Sequence, residues 1–384
     1  MQHMVSKLVC LATVAGLGFG AFGGTTVYVD SKSANPVSPY ADKASAAKTI
    51  AAAMTVAAAA EDAVVIWVAK GTYKETGFTL DKAITIVGET GDPADVIIND
   101  AANGKRAFNI TSADAGISGL TISGTGFNAD GGGGYLNMSA GTVENCVISG
   151  GQLDPNDYSA HYGGNVYMSG GRLVRCQVFG GDGNAGNRGD PTAYGCGICA
   201  AGSAIVENCL IANNTAGSLA NVYGTGVCLD GSAKLVNCTV VRNTAPALSK
   251  VTSKTGGVYV NSANARVVNT VMFDNGGTAE NEFGKQNLGC YGYCASSVAN
   301  EECATWRVIA DAAFKDYAKA GEDVGNLRPS RGGPLHNGGC TREAYAGTGA
   351  ISEVDLLGGR RIVGSRLDIG CIEGVPPGTV MFVR

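Results

Sequence analysis

Four successive stretches of the chain place a glycine twelve residues ahead of a cysteine, and this recurrence constrains the fold more than any other feature. They open at Gly134, Gly164, Gly197 and Gly226. They close on Glu144-Asn145-Cys146-Val147-Ile148, Val174-Arg175-Cys176-Gln177-Val178, Glu207-Asn208-Cys209-Leu210-Ile211 and Val236-Asn237-Cys238-Thr239-Val240. A fifth copy opens at Gly257 and carries Thr270 in the cysteine slot after one extra residue, and a degenerate earlier copy runs from Phe108 to Leu120-Thr121-Ile122. The slot positions 120, 146, 176, 209, 238 and 270 lie 26, 30, 33, 29 and 32 residues apart, so a constant core alternates with a variable spacer.

Within each copy the apolar residues fall in short β-branched runs separated by Gly, Asn and Ser, with no sustained helical spacing. One such unit cannot bury its own apolar side chains, so neighbouring units must stack, and the spacers become loops at one recurrent place. The pattern therefore predicts an all-β chain, a right-handed parallel β-helix. Stacked strands in register put equivalent residues about 4.8 Å apart. On that spacing Asn145, Asn208, Asn237 and Asn269 are expected to form a side-chain amide ladder, and the marker glycines to sit at tight corners that need φ > 0. The 58 glycines among 384 residues fit such corners, whereas collagen is excluded by the missing three-residue period and the 10 prolines. A formal net charge of −5 with 16 % charged residues supplies no basic field for nucleic acid.

The chain divides into residues 1–23, 24–90, 91–280, 281–375 and 376–384. Lys7, the apolar run from Leu8 to Phe22 and the small-residue end at Ala21-Phe22-Gly23 have the layout of a secretory signal peptide, so export is expected, to the extracellular space or the outer cell surface. The run is shorter than the roughly 20 residues of a spanning helix, and no second run of that length follows, so no transmembrane segment is expected after cleavage. Residues 24–90 form an opening segment in which the alanine-rich stretch from Ser45 to Ala60 predicts a helix covering the first coil. Residues 91–280 hold the repeats. Residues 281–375 lose the repeat and are expected to close the far end, and 376–384 form a tail. Nothing in the pattern calls for a second subunit, and a monomer is expected.

The opening Thr26-Val27-Tyr28-Val29-Asp30, with Ala46-Ala47-Lys48-Thr49-Ile50 and Val68-Ala69-Lys70-Gly71-Thr72-Tyr73, resembles the start of secreted right-handed parallel β-helix proteins of the pectate-lyase-like superfamily. The far end, Asn326-Leu327-Arg328-Pro329 and Val354-Asp355-Leu356-Leu357-Gly358-Gly359-Arg360-Arg361-Ile362 with Arg366-Leu367-Asp368-Ile369-Gly370-Cys371-Ile372-Glu373, is similar to the closing segment of bacterial choice-of-anchor Q domain proteins. The resemblance implies fold and export and leaves the activity open.

Twelve cysteines follow residue 23. Cys146, Cys176, Cys209 and Cys238 share one repeat column and Cys199 and Cys228 a second, which reads as small buried hydrophobes. Cys290, Cys294, Cys303, Cys340 and Cys371 lie outside the repeats and are the expected disulfide partners, connectivity open.

The spacers leave the same corner of successive coils and should build one composite face. Asp154, Asp157, Tyr158 and His161 in one spacer and Asp182, Asn184, Asn187 and Asp190 in the next are candidate ligand-binding residues, suited to sugar hydroxyls. Asp130, Asp182 and Asp190 are candidate ligands for calcium, the one cofactor this oxygen-rich set suggests. The expected function is a secreted or cell-surface module that binds or adheres to extracellular polysaccharide or cell-surface glycan. The alternative is a calcium-assisted polysaccharide lyase, which needs a base beside carboxylates that hold the cation. His161, Arg172, Arg175 and Arg188 are its candidate catalytic residues. A structural spacer is a third reading.

Overall fold

A computed structural model describes residues 24–99, 105–124, 132–153, 161–183, 192–216, 221–245, 253–276, 282–284, 286–321, 323–362 and 365–374. The expected signal peptide, the tail, and the candidate residues Asp130, Asp154, Asp157, Tyr158, Asn184, Asn187, Arg188 and Asp190 lie outside these.

The described chain winds as a right-handed parallel β-helix. Sheet I has seven strands, from Phe78–Leu80 to Val258–Val260; sheets II and III have ten each, from Thr25–Val29 to Tyr291–Gly292 and from Gly71–Tyr73 to Arg307–Val308. A short sheet IV holds His161–Tyr162, Thr192–Tyr194, Asn221–Tyr223 and Ser253–Lys254. One coil shows the plan: Val166–Met168 in sheet I, Arg172–Val174 in sheet II, Gln177–Phe179 in sheet III, then Thr192–Tyr194 in sheet IV. Each strand pairs in parallel register with its equivalent one coil away, as Arg172, Leu173 and Val174 do with Ile205, Val206 and Glu207. Such short strands hold because alternate side chains, here Val166, Met168, Leu173, Cys176 and Val178, fill a common lumen.

The corner between sheets II and III is left-handed. Asn145, Arg175, Asn208, Asn237 and Asn269 occupy it with φ between +50° and +57°, and Gly119 takes the same place with φ +69°. Asparagine tolerates that conformation because its short side chain hydrogen-bonds locally. The expected continuous ladder does not form here: Asn269 donates to Asn237 at 2.9 Å, but Asn145 reaches the Gly91 carbonyl and Asn208 the Val354 carbonyl. The ladder lies one corner further on. Asn165 Nδ2 donates to Asn214 Oδ1 at 3.2 Å, Asn214 to Asn243 at 2.8 Å, Asn243 to Asn275 at 2.9 Å, and Asn275 to Glu282 Oε2 at 2.9 Å. The same oxygens accept backbone N–H groups, among them Gly181 at 2.8 Å and Asn214 at 3.1 Å, so the turn leaving sheet III is satisfied by its neighbour.

The glycine expectation also shifts. Gly226 is absent from the left-handed set; Gly224, two residues earlier, has φ +69° and turns the chain from sheet IV into sheet I. Gly226 is required for room, since a Cβ there would lie 2.8 Å from Val240 Cγ1 and 2.9 Å from the Gly257 carbonyl oxygen.

The helix forms over Ile50–Ala59, shorter than the alanine-rich stretch, because Thr49 caps it and the Glu75 carboxylate accepts from the Ile50 and Ala51 N–H groups at 2.9 Å. Ile50, Ala53 and Ala57 cover the first coil, which already begins at Thr25. At the other end the lumen is closed by Phe283, Tyr291 and Trp306, packed ring to ring at 4.9 to 5.8 Å.

Residues 309–374 do not cap that end. The described residues among them run back along the outside of the II/III corner as a strap. Phe314 and Tyr317 pack on Phe273, the Cys371 N–H donates to Thr239, Ile351 and Ser352 donate to Glu207, and the Gly349 carbonyl accepts from Arg172. The twelve described cysteines are buried and free. Cys146, Cys176, Cys209 and Cys238 pack in the lumen as small hydrophobes, as expected, and Cys199 and Cys228 lie in a separate cluster. The five cysteines outside the repeats are not bridged: Cys290, Cys294 and Cys303 belong to the lumen cluster, Cys371 to the strap's contact with sheet III, and Cys340 to its contact with sheet II. Among the described residues no helix is long and apolar enough to cross a membrane.

Candidate functional site

Sheet IV is where the variable spacers rejoin the coils, and strand alternation decides what it shows. His161, Ala193 and Val222 point inward and are buried, leaving Tyr162, Tyr194 and Tyr223 facing out. Parallel register then stacks the three rings along the helix axis. Tyr162 and Tyr194 have centroids 5.1 Å apart at 12°, and Tyr194 and Tyr223 are 4.9 Å apart at 14°. Each precedes a left-handed glycine, Gly163, Gly195 or Gly224, which turns the chain sharply away and leaves the ring on the outer side.

The adjoining outer face of sheet I extends this surface. Its register column runs Asn109, Asn137, Tyr167, Cys199, Cys228, Tyr259. Tyr167 lies 6.0 Å from Tyr162, and Tyr259 lies 4.8 Å from Tyr223. Toward the first coils the aromatic face gives way to amides: Asn137 donates to Asn109 at 3.4 Å, and Arg106 holds Asn109 at 2.7 Å and the Gly133 carbonyl at 3.0 Å. The face is open at Tyr162, 37 % exposed, and closes at Tyr259, 6 % exposed. Burial holds the hydroxyls of Tyr162, Tyr167 and Tyr194 above the usual phenol range and pushes Tyr259 up to about 12, so these groups stay protonated donors at neutral pH. Past sheet III the coils also align in a bridge row, Gln152, Asp182, Thr215 and Thr244, in which Thr215 Oγ1 donates to Asp182 at 3.5 Å.

No protein-family model and no curated protein matches the chain. Solved structures do. The crystal structure of pectate lyase Pel9A superposes with a TM-score of 0.53 and 15 % sequence identity over 93 % of this chain and 97 % of that one. The pectin methylesterase from Aspergillus niger gives a TM-score of 0.40 at 18 % identity over 76 % and 92 %. The chain shares the parallel β-helix fold of Pel9A. At these identities the likeness is one of architecture, and the side chains must speak for the site.

Of the expected site residues, His161, Arg172, Arg175 and Asp182 are described, and these four are not gathered at one place. Asp182 lies in the bridge row between Gln152 and Thr215. His161 is 1 % exposed and faces inward, so the residue its strand presents is Tyr162. Arg172 and Arg175 lie in sheet II and at the II/III corner, under or beside the strap. Arg175 Nη2 meets Glu144 Oε1 at 2.8 Å, and Arg172 Nη1 stands 3.5 Å from Glu207 Oε2 with Nη2 on the Gly349 carbonyl. Both guanidiniums are thus occupied by buried carboxylates. Among the described residues no group of three or more His, Cys, Asp or Glu side chains is placed to hold a metal ion. The tyrosine face is not among the sequence expectations, although the dipeptide Tyr-Gly recurs at 162, 194 and 223, in three successive copies.

Proposed function

We propose that the protein is a glycan-binding β-helix, acting outside the cell, whose tyrosine face takes an extended polysaccharide along the helix axis. The row Tyr162, Tyr194 and Tyr223 carries this reading. A sugar ring offers an apolar C–H surface and a rim of hydroxyls, and tyrosine matches both with one rigid side chain. Repetition at one ring per coil suits a ligand that is itself repetitive, and the Asn109 and Asn137 amides supply directional partners beyond the rings. The signal-peptide layout of residues 1–23 and the surface-protein resemblance of the closing segment support the extracellular setting. The lyase alternative draws on His161, Arg172, Arg175 and Arg188 with Asp130, Asp182 and Asp190; of these the described His161, Arg172, Arg175 and Asp182 stand on different walls of the helix, and this favours binding over catalysis.

A polysaccharide array should give retention that Tyr194→Ala and Tyr223→Ala weaken by about tenfold or more, with Asp182→Ala and Asp154→Ala reporting on the spacers. A blank array at high protein concentration refutes the proposal. Growth of ultraviolet absorbance from unsaturated uronate on a polyuronate panel with calcium would establish the lyase instead.

A further inference from the structure

Cys199 and Cys228 stand directly opposite each other on adjacent strands of sheet I, in register, on the outer side of the wall. Neighbouring strands lie about 4.7–4.9 Å apart, inside the Cα separation of about 4.4–6.8 Å that a disulfide accepts. Cys199 and Cys228 belong to one small buried cluster of side chains, separate from the lumen. Their surroundings differ from those of the lumenal column. There each sulfur is bound to the main chain: Cys176 to the Val174 carbonyl at 3.3 Å, Cys209 to that of Glu207 at 3.2 Å and Cys238 to that of Val236 at 3.2 Å. Cys209 and Cys238 also accept the N–H of the preceding coil's cysteine at 3.4 Å. Cys199 and Cys228 instead sit 2 % and 1 % exposed beneath a single layer of rings, packed among Tyr167, Tyr194, Tyr223 and Tyr259. Tyr167 and Tyr194 above them are only half-buried.

We infer that Cys199 and Cys228 are a disulfide-forming pair, oxidised by thiol–disulfide exchange to a bridge that rivets two coils together at the base of the tyrosine face. One thiol loses its proton and attacks the disulfide of the oxidant, a small-molecule disulfide or an oxidoreductase of that class, releasing one thiol. The second thiolate attacks the mixed disulfide and releases the other thiol. Two S–H bonds become one S–S bond, and the two electrons and two protons leave on the oxidant. The lumenal thiols, enclosed on all sides and tied to carbonyls, stay reduced.

Sequence positions make the test specific. Cleavage after Arg188, Glu207 and Lys234 yields peptides 189–207, with Cys196 and Cys199, and 208–234, with Cys209 and Cys228. The full chain is produced in an oxidising bacterial periplasm, and a cytoplasmic preparation is separately treated with oxidised glutathione. Each is then freed of oxidant, denatured, alkylated without reductant and digested. The expected result is a linked 189–207/208–234 pair whose fragmentation places the bridge at Cys199 and Cys228, two fewer alkylated cysteines than after reduction, and loss of the link in Cys199→Ser and Cys228→Ser. The thermal midpoint of the oxidised protein should fall on adding dithiothreitol, and that of Cys199→Ser should not. Full alkylation of every cysteine in both preparations, or a bridge within the lumenal column, would overturn the inference.

Discussion

Arg175 fills the left-handed corner that asparagine fills at positions 145, 208, 237 and 269, and it does so with φ +50°. An arginine gains nothing from that backbone conformation; what holds it is Glu144, one coil back, whose carboxylate takes both Nε at 3.1 Å and Nη2 at 2.8 Å while 5 % exposed. Removing one partner of a buried pair leaves an uncompensated charge, so Arg175→Ala should destabilise the protein by about 3 kcal/mol in urea unfolding. The double variant Arg175→Asn with Glu144→Gln should recover most of it, because it restores the corner residue and removes the orphaned carboxylate. If the single and double variants unfold alike, the pair does not hold the corner. Arg175 also shows how a residue that departs from its column invites a functional reading from sequence. Its partner sits one coil away, at a separation that pairing across coils sets and local spacing does not reveal.

Two elements bind the coils to one another, and only part of each was legible in the sequence. The amide ladder could be read from the Asn placed five residues past the slot at 214, 243 and 275. The Asn column beside the cysteines is an equally regular candidate in the sequence, because a repeated Asn at a corner suits both roles. Asn243 bridges Asn214 and Asn275 and accepts the Asn214 N–H at 3.1 Å, so Asn243→Ala strands buried donors on the Asn214 coil and takes a donor from a buried acceptor, Asn275 Oδ1, on the other. A loss of about 2–4 kcal/mol is expected, measured by urea unfolding. The strap was foreseen as an end cap, since losing the repeat does not tell a sequence where the chain goes next. Its last turn is knotted around Arg361, which is fully buried, donates to the Asp368 carbonyl at 2.9 Å and lies 3.5 Å from Glu373 Oε2. Asp355 accepts from Leu357, Gly359 and Glu373 N–H groups, and Asp368 from those of Asn337 and Gly374. Burial then pushes Glu373 from 4.5 up to about 8. Folding therefore takes up a proton at Glu373, and the associated stabilisation is complete below about pH 4.5 and lost as pH rises through about 8. The thermal midpoint should decline over that window, and Glu373→Gln should flatten the decline. Burial also raises Glu207 and Glu282, so a residual slope of the same sign should persist.

At the scale of the whole molecule, the repeat was enough to read the fold, because a fixed glycine-to-cysteine interval with a variable spacer admits little besides stacked coils. The site was much less legible. Of its expected residues the described His161, Arg172, Arg175 and Asp182 lie on separate walls, whereas the tyrosine face is built of residues recurring in the same repeat. Stacks whose units touch only their neighbours unravel from an end, one unit after another. Here the strap binds Thr239, Glu207 and Arg172 as well as the coil it leaves, so the later coils are held to one flank at several heights. Removing residues 309–384 should turn a single cooperative melt into a broad one, as followed by circular dichroism. The same geometry changes how the molecule bears load. A pull on Gly374, which packs beside His336 and Asp368, enters the shaft from its side and presses the coils together in shear, so the protein would resist tension as a splinted rod and not as a peeling ribbon.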